Sequence, residues 1–152
     1  AALQCKIDRA GWGVVARDWQ GLLLGAWAVP SSSVSTPKQE ESMALRLATK
    51  LAKQQGRKQV VFEVDCLQIV EELNREGTER IESVVIEDIR STQEFFDECC
   101  FTFTRRVNNF VSHTLAKMIV SLECLAEWKV NFPAWLHELV QTDCRGSCLG
   151  FL

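Results

Sequence analysis

The chain has 152 residues, of which 47% are hydrophobic and 24% charged, so it is long enough to bury a core and too apolar to be disordered. Its 17 Lys and Arg residues are outnumbered by 20 Asp and Glu residues, which argues against a strongly basic nucleic-acid binder but leaves binding through a local patch open. No apolar run approaches the length of a membrane span, so we expect no membrane partner.

The seven cysteines are scattered, which favours free or buried thiols in a reducing compartment, the cytoplasm or the nucleus. Cys144 and Cys148 have the spacing of metal ligands, but neither a second pair nor a histidine cluster accompanies them, so we expect no zinc site there. The chain begins with Ala1 and Ala2 rather than with Met, and we interpret it as processed or as a fragment. We expect a monomer.

The first half of the chain predicts a β-hairpin followed by a helix. The predicted elements are strands at residues 11–18 and 22–29 and a helix at residues 38–55. Along the first strand, Trp12, Val14 and Ala16 alternate with the residues of the other face. Pro30 ends the second strand, and Gly56 ends the helix, whose apolar residues recur at helical spacing.

The second half alternates strands with helices. The predicted elements are strands at residues 59–65 and 100–105 and helices at residues 66–75, 81–98 and 109–125. The strand at 59–65 is apolar on both faces up to Glu63, as a strand in the middle of a sheet is. The element order predicts an α/β domain over residues 1–136, with a mixed sheet flanked by helices, and a C-terminal tail over residues 137–152.

Acidic residues lie at two positions where α/β proteins place catalytic groups. Asp65 ends the buried strand, at the carboxyl end where such folds bind ligands. Glu41 lies on the flank of the helix at 38–55, and Glu40 fits that flank almost as well, so spacing does not choose between them. Each acid also has a non-catalytic explanation. An acid near a helix N-terminus interacts favourably with the helix dipole, and an acid that ends a strand often caps the helix that follows.

Four motifs in order carry a resemblance to a known family. They read GWGVVARDWQG, PKQEESMALRLATKLA, VVFEVDCLQIV and RRVNNFVSHTLAK, and a Pro-Ala-Trp-Leu segment follows them. Together they resemble the ribonuclease H-like domain common in plant genomes and often linked to reverse transcriptase-type sequences. The resemblance covers residues 1–135, and it implies a ribonuclease H-like fold with a mixed five-stranded sheet.

The resemblance also implies an activity. Members of this family cut the RNA strand of an RNA–DNA hybrid endonucleolytically with two Mg²⁺ ions, which carboxylate oxygens hold. The hybrid is recognised by its shape, its phosphates and its 2′-hydroxyls rather than by its sequence. We therefore expect Mg²⁺ as cofactor and nucleic acid, an RNA–DNA hybrid or RNA, as partner.

The motifs place the family's functional residues on this chain. Its helix glutamate falls on Glu41 and its strand-end aspartate on Asp65, as catalytic metal ligands. Its last-helix pattern falls on Arg106 and Asn109, expected to contact nucleic acid, and on His113. That histidine stands where cellular and bacterial enzymes have a fourth aspartate, and it is a poor Mg²⁺ ligand but a possible proton carrier. The alternative for His113 is an exposed histidine without a catalytic role.

The family's first catalytic aspartate lies on the first strand, and this chain allows two interpretations of it. In the favoured one, Ala1 and Ala2 directly follow that aspartate, so the first strand is truncated, the aspartate is absent and the chain is marginally stable. In the alternative, residues 3–8 form the strand, residues 9–11 make a tight turn, and Asp8 is the metal ligand.

Three functions are compatible with these observations. The first is a metal-dependent ribonuclease that acts on RNA–DNA hybrids. The second is a catalytically inactive nucleic-acid-binding domain or retroelement-derived remnant, which the acidic composition and the missing carboxylate favour. The third is a protein-interaction module, for which Trp128 and Trp135 are candidate contact residues, although the favoured interpretation is that they cover the last helix.

Overall fold

Six strands and five α-helices follow one another in the described part of the chain. The computed structural model describes residues 2–4, 9–31, 36–75, 83–122 and 124–143. The strands are β1 (Ala2–Gln4), β2 (Arg9–Arg17), β3 (Leu23–Ser31), β4 (Gln59–Val64), β5 (Glu98–Phe103) and β6 (Ala126–Trp128). The helices are α1 (Pro37–Gln54), α2 (Leu67–Asn74), α3 (Val84–Gln93), α4 (Phe110–Leu122) and α5 (Ala134–Asp143), with a 3-10 turn at Arg106–Asn109 before α4.

The strands pair in two hydrogen-bonded groups. One has the order β1-β2-β3-β6 with antiparallel neighbours, and the other is the parallel pair β4-β5. The predicted α/β class, with antiparallel and parallel strands flanked by helices, is thus confirmed. The resemblance implied five strands; β6 is an additional strand, which pairs with β3 and lies in a segment where no strand was predicted.

A short strand, β1, lies near the start of the chain, and residues 9–11 belong to the next strand rather than to a tight turn. Ala2 pairs with Gly11 and Gln4 pairs with Arg9, so residues 9–11 are part of β2. The alternative register, which needed a turn at those residues, is therefore wrong. Asp8, its proposed ligand, lies outside the described residues, as does Ala1.

Helix α1 begins at a point that its own sequence fixes. Thr36 accepts a hydrogen bond from the backbone N–H of Gln39, and the Gln39 side chain accepts one in return from the Thr36 N–H, which makes a capping box. Pro37 occupies the first helical position, where its missing N–H does no harm. These contacts hold the first turn of α1, which carries Glu40 and is followed directly by Glu41.

Two apolar cores lie on opposite faces of β2 and β3. The first lies under α1, α2 and α3, and its buried members from the strands are Val14, Ala16, Trp27, Val60, Phe62, Val64 and Phe101. The second lies under α4 and α5, and its buried members are Ala26, Ala28, Val111, Leu115, Ile119, Leu136 and Val140. The alternation predicted for residues 11–18 is thus observed: Val14 and Ala16 face the first core, and Val15 between them faces the second.

Glycines allow α4 to lie directly on β2. A Cβ atom at Gly13 would lie 1.9 Å from the carbonyl oxygen of Ser112, and one at Gly11 would lie 2.4 Å from that of Ala116. Both contacts are with backbone atoms, which a rotamer change does not relieve. The Gly-Trp-Gly sequence therefore serves both faces of β2, with glycines toward α4 and a tryptophan toward α1.

The last described helix joins the second core. Leu136 and Val140 of α5 are both buried there, so the boundary predicted between residues 136 and 137 falls inside this helix. The remaining predicted tail, including Cys144 and Cys148, lies outside the described residues. Helix α3 is shorter than the predicted span of 81–98. None of the helices described is long and apolar enough to cross a bilayer.

Candidate functional site

The structure brings Glu41 and Asp65 close enough to interact electrostatically. Asp65 directly follows β4, and its side chain is only 4% exposed. Glu41 lies in the first turns of α1, which packs against β4. Burial raises the pKa of the Glu41 carboxyl, and the neighbouring Asp65 carboxylate raises it further, while Arg106 acts in the opposite direction. Two carboxyl groups on elements that pack together are a candidate site for a cation.

Arg106 supplies a cation at this site. Its Nε donates to Oδ2 of Asp65 over 3.1 Å, although the Arg106 side chain itself is 63% exposed. The parallel pairing of β4 with β5 explains the contact, because it sets Phe103 opposite Val64 and so brings the chain that leaves β5 next to Asp65. The backbone N–H of Thr104 also donates to the carbonyl of Val64. A residue expected to contact nucleic acid thus contacts a predicted metal ligand.

The two neighbouring glutamates have different surroundings. Glu40 is 1% exposed, and its Oε2 accepts a hydrogen bond of 2.6 Å from Nε1 of Trp12 on β2. The pKa of the Glu41 carboxyl, in contrast, is raised by burial and by the nearby Asp65 carboxylate. From the sequence, Trp12 was predicted only as one of the alternating residues of a strand. A polar partner for Trp12 could have been predicted, because the indole N–H of an inward-facing tryptophan requires a hydrogen-bond acceptor.

We expect Trp12→Phe to lower the free energy of unfolding by about 1–3 kcal/mol, because it leaves the buried Glu40 carboxylate without this donor. Urea unfolding monitored by circular dichroism measures the change. Trp19→Phe is the matched control, since Trp19 is 68% exposed in the turn between β2 and β3. A loss no larger in Trp12→Phe than in Trp19→Phe would show that the hydrogen bond contributes nothing to stability.

The last two predicted residues lie at the start of α4. Asn109 is the final residue of the 3-10 turn and is half-buried. His113 lies one helical turn later, with its Nδ1 shielded from solvent. Because α4 rests on β2 at Gly13, this end of the helix is fixed relative to the sheet. The roles of Asn109 and His113 stay predictions.

Among the described residues, the carboxylates of Glu41 and Asp65 are donors of the kind that suits a hard cation. Carboxylate oxygens are the ligands that Mg²⁺ prefers, and Glu41 with Asp65 supplies them. In the part of the chain that the structure describes, no three His, Cys, Asp or Glu residues are grouped to hold a metal ion. A divalent ion at Asp65 also has to compete with Arg106. In the described part of the chain, these two carboxylates would therefore hold an ion only in competition with this guanidinium.

Comparison with known proteins gives a family and a fold. A sequence model described as reverse transcriptase-like matches residues 1–119, and a search of curated proteins finds no match. The structure is similar to RNase H1 from the halophilic archaeon Halobacterium salinarum, with 19% identity, a TM-score of 0.68 and coverage of 81% of this chain and 93% of that one. It is also similar to the N-terminal RNase H domain of a Mycobacterium tuberculosis protein, solved as a fusion with maltose-binding protein, with 14% identity, a TM-score of 0.69 and coverage of 80% and 88%.

Proposed function

This chain belongs to the reverse transcriptase-like family and has a ribonuclease H fold, and we propose on that basis that it binds RNA–DNA hybrids and cleaves their RNA strand with Mg²⁺. The observation that supports the proposal most is that α1, which carries Glu41, packs against β4, which leads into Asp65, so that the two carboxyl groups interact electrostatically. Asp65 directly follows the carboxyl end of β4, which is where α/β folds bind ligands. We further propose that the domain acts as a monomer.

In this proposal, Glu41 and Asp65 hold the divalent ion. When bound, such an ion neutralises charge at the scissile phosphate and lowers the pKa of the attacking water. Asp65 is shielded from solvent, so its carboxylate interacts more strongly with a cation than an exposed one does. Arg106, which is largely exposed, and Asn109 contact phosphates or sugars, and the imidazole of His113 carries a proton at the leaving oxygen.

Cleavage of a labelled RNA–DNA hybrid in the presence of Mg²⁺ tests the proposal. We expect Asp65→Asn to reduce the cleavage rate by about a hundredfold or more, since an amide is neutral and binds a divalent ion weakly. Asp97→Asn is the matched control, because Asp97 is exposed and precedes the opposite end of β5. It should cleave at the wild-type rate. Equal rates for Asp65→Asn and the wild type would contradict this site.

A second function, a catalytically inactive nucleic-acid-binding domain or retroelement-derived remnant, is favoured by one observation. The guanidinium of Arg106 already neutralises Asp65, which a working metal site needs free. This alternative predicts no cleavage by the wild type but a hybrid affinity that falls steeply with salt, because phosphate contacts release counterions. A protein-interaction module predicts neither cleavage nor salt-dependent binding of the hybrid.

A further inference from the structure

We propose that Arg106 couples nucleic-acid binding to metal binding: it pairs with Asp65 in the free protein and moves to a phosphate of the bound strand, which opens Asp65 to a divalent ion. The inference rests on the proposed function and adds a mechanism that regulates the same site. It concerns the order and cooperativity of binding, and it assigns to Arg106 a role besides phosphate contact.

The unequal exposure of the two partners is the first argument. Asp65 is 4% exposed and Arg106 is 63% exposed, so the guanidinium reaches the carboxylate from the solvent side. A shielded carboxylate needs a compensating charge, because burying it alone is strongly unfavourable. The chain itself provides that charge in the absence of a metal ion. The exposed Arg106 side chain can leave without disrupting either core.

Arg106 and a divalent ion would compete for an oxygen atom of the Asp65 carboxylate. The Nε atom of Arg106 lies 3.1 Å from Oδ2 of Asp65, which is the distance of a direct hydrogen bond. A divalent ion that binds this carboxylate would face a positive guanidinium at its side, so the two cations exclude each other. Ion binding to the free protein is therefore weaker than the two carboxylates alone would allow.

The guanidinium of Arg106 can exchange the carboxylate of Asp65 for a phosphate of the nucleic acid. Arginine binds phosphate oxygens with the same fork of donors that it offers a carboxylate, and the short 3-10 turn at Arg106–Asn109 presents it at the surface. A nucleic acid that draws Arg106 away leaves Asp65 uncompensated and raises its affinity for an ion. By linkage, the ion then raises the affinity for nucleic acid by the same factor.

Calorimetric titration with Mg²⁺ tests the inference without measuring cleavage. The protein is titrated alone and with a hybrid whose RNA strand is 2′-O-methylated, which keeps every phosphate. We expect Arg106→Gln alone to bind Mg²⁺ on the order of tenfold more tightly than the wild type. The hybrid should tighten Mg²⁺ binding by a similar factor in the wild type and not in Arg106→Gln. The control Arg105→Gln, which removes an exposed neighbouring arginine, should behave as the wild type.

The variant Arg106→Lys provides a second readout, because it keeps the cation and should keep Mg²⁺ affinity low. Melting in EDTA checks that each variant folds, and Mg²⁺ should raise the Tm of Arg106→Gln more than that of the wild type. Equal Mg²⁺ affinities in the wild type and Arg106→Gln, or equal effects of the hybrid on both, would overturn the coupling and leave the proposed function standing. Absence of Mg²⁺ binding in all variants, with and without the hybrid, would overturn both.

Discussion

Gly13→Ala is expected to lower the free energy of unfolding by about 3 kcal/mol, or to prevent folding, because the added methyl group has no space. Its carbon would lie 1.9 Å from the carbonyl oxygen of Ser112 and 3.0 Å from the backbone nitrogen of Ala116. Since both atoms belong to the backbone of α4, the whole helix has to move away from β2. That movement would open the second core, where α4 contributes Leu115 and Ile119.

Gly56→Ala is the matched control for this substitution. Gly56 ends α1 with a φ of +68°, and a Cβ atom there would meet nothing within 4 Å. The same chemical change should therefore cost only about 1 kcal/mol, from the left-handed backbone conformation. Urea unfolding of both variants beside the wild type makes the comparison. If Gly13→Ala lost no more stability than Gly56→Ala, the close packing of α4 on β2 would be refuted.

The sequence correctly predicted the elements that have a long run of alternating or apolar residues. The alternation of Trp12, Val14 and Ala16 predicted one face of β2, and these residues do face α1 and the first core. The apolar run that ends at Asp65 predicted a buried strand, and β4 pairs with β5 as a parallel neighbour. Such segments carry their own periodicity, so their type can be deduced locally.

Elements held by distant contacts were not predictable in the same way. β6 has three residues, and it exists because Ala126 to Trp128 pair with β3 and because Glu127 accepts a hydrogen bond from Trp27. Helix α3 ends at Gln93, five residues before the predicted end, although the apolar pattern continues to Phe96. That side chain packs against Phe62 from outside the helix, which sequence spacing does not reveal.

In the candidate site, too, residues marked by a local sequence pattern were predictable and contacts between distant residues were not. Asp65 was predictable because the end of a buried strand is a recognisable position. Spacing alone did not choose between Glu40 and Glu41, because Glu40 fits the flank of α1 almost as well as Glu41, and the contact that sets their surroundings apart joins Glu40 to Trp12, 28 residues away. The contact between Arg106 and Asp65 spans 41 residues and depends on the pairing of β4 with β5.

Glu41→Gln is expected to leave the fold intact at neutral pH or to stabilise it. Burial and Asp65 raise the pKa of Glu41 in the folded state, so folding becomes less favourable as the pH rises from the unfolded pKa through the folded one. The neutral amide lacks this penalty, so its advantage over the wild type should be larger at pH 7 than at pH 4. Urea unfolding at the two pH values measures it, and a smaller advantage at pH 7 would contradict the assigned surroundings of Glu41.

The most direct test of the account is the rate at which Glu41→Gln and Glu40→Gln cleave a labelled RNA–DNA hybrid with Mg²⁺. The two substitutions are chemically identical and one residue apart, but the Glu41 carboxyl interacts electrostatically with Asp65, whereas Glu40 is buried and accepts a hydrogen bond from Trp12. We predict that Glu41→Gln loses about a hundredfold or more of the wild-type rate. Glu40→Gln should retain most of it. Loss of cleavage in a folded Glu40→Gln, with Glu41→Gln still active, would contradict the assignment of the site.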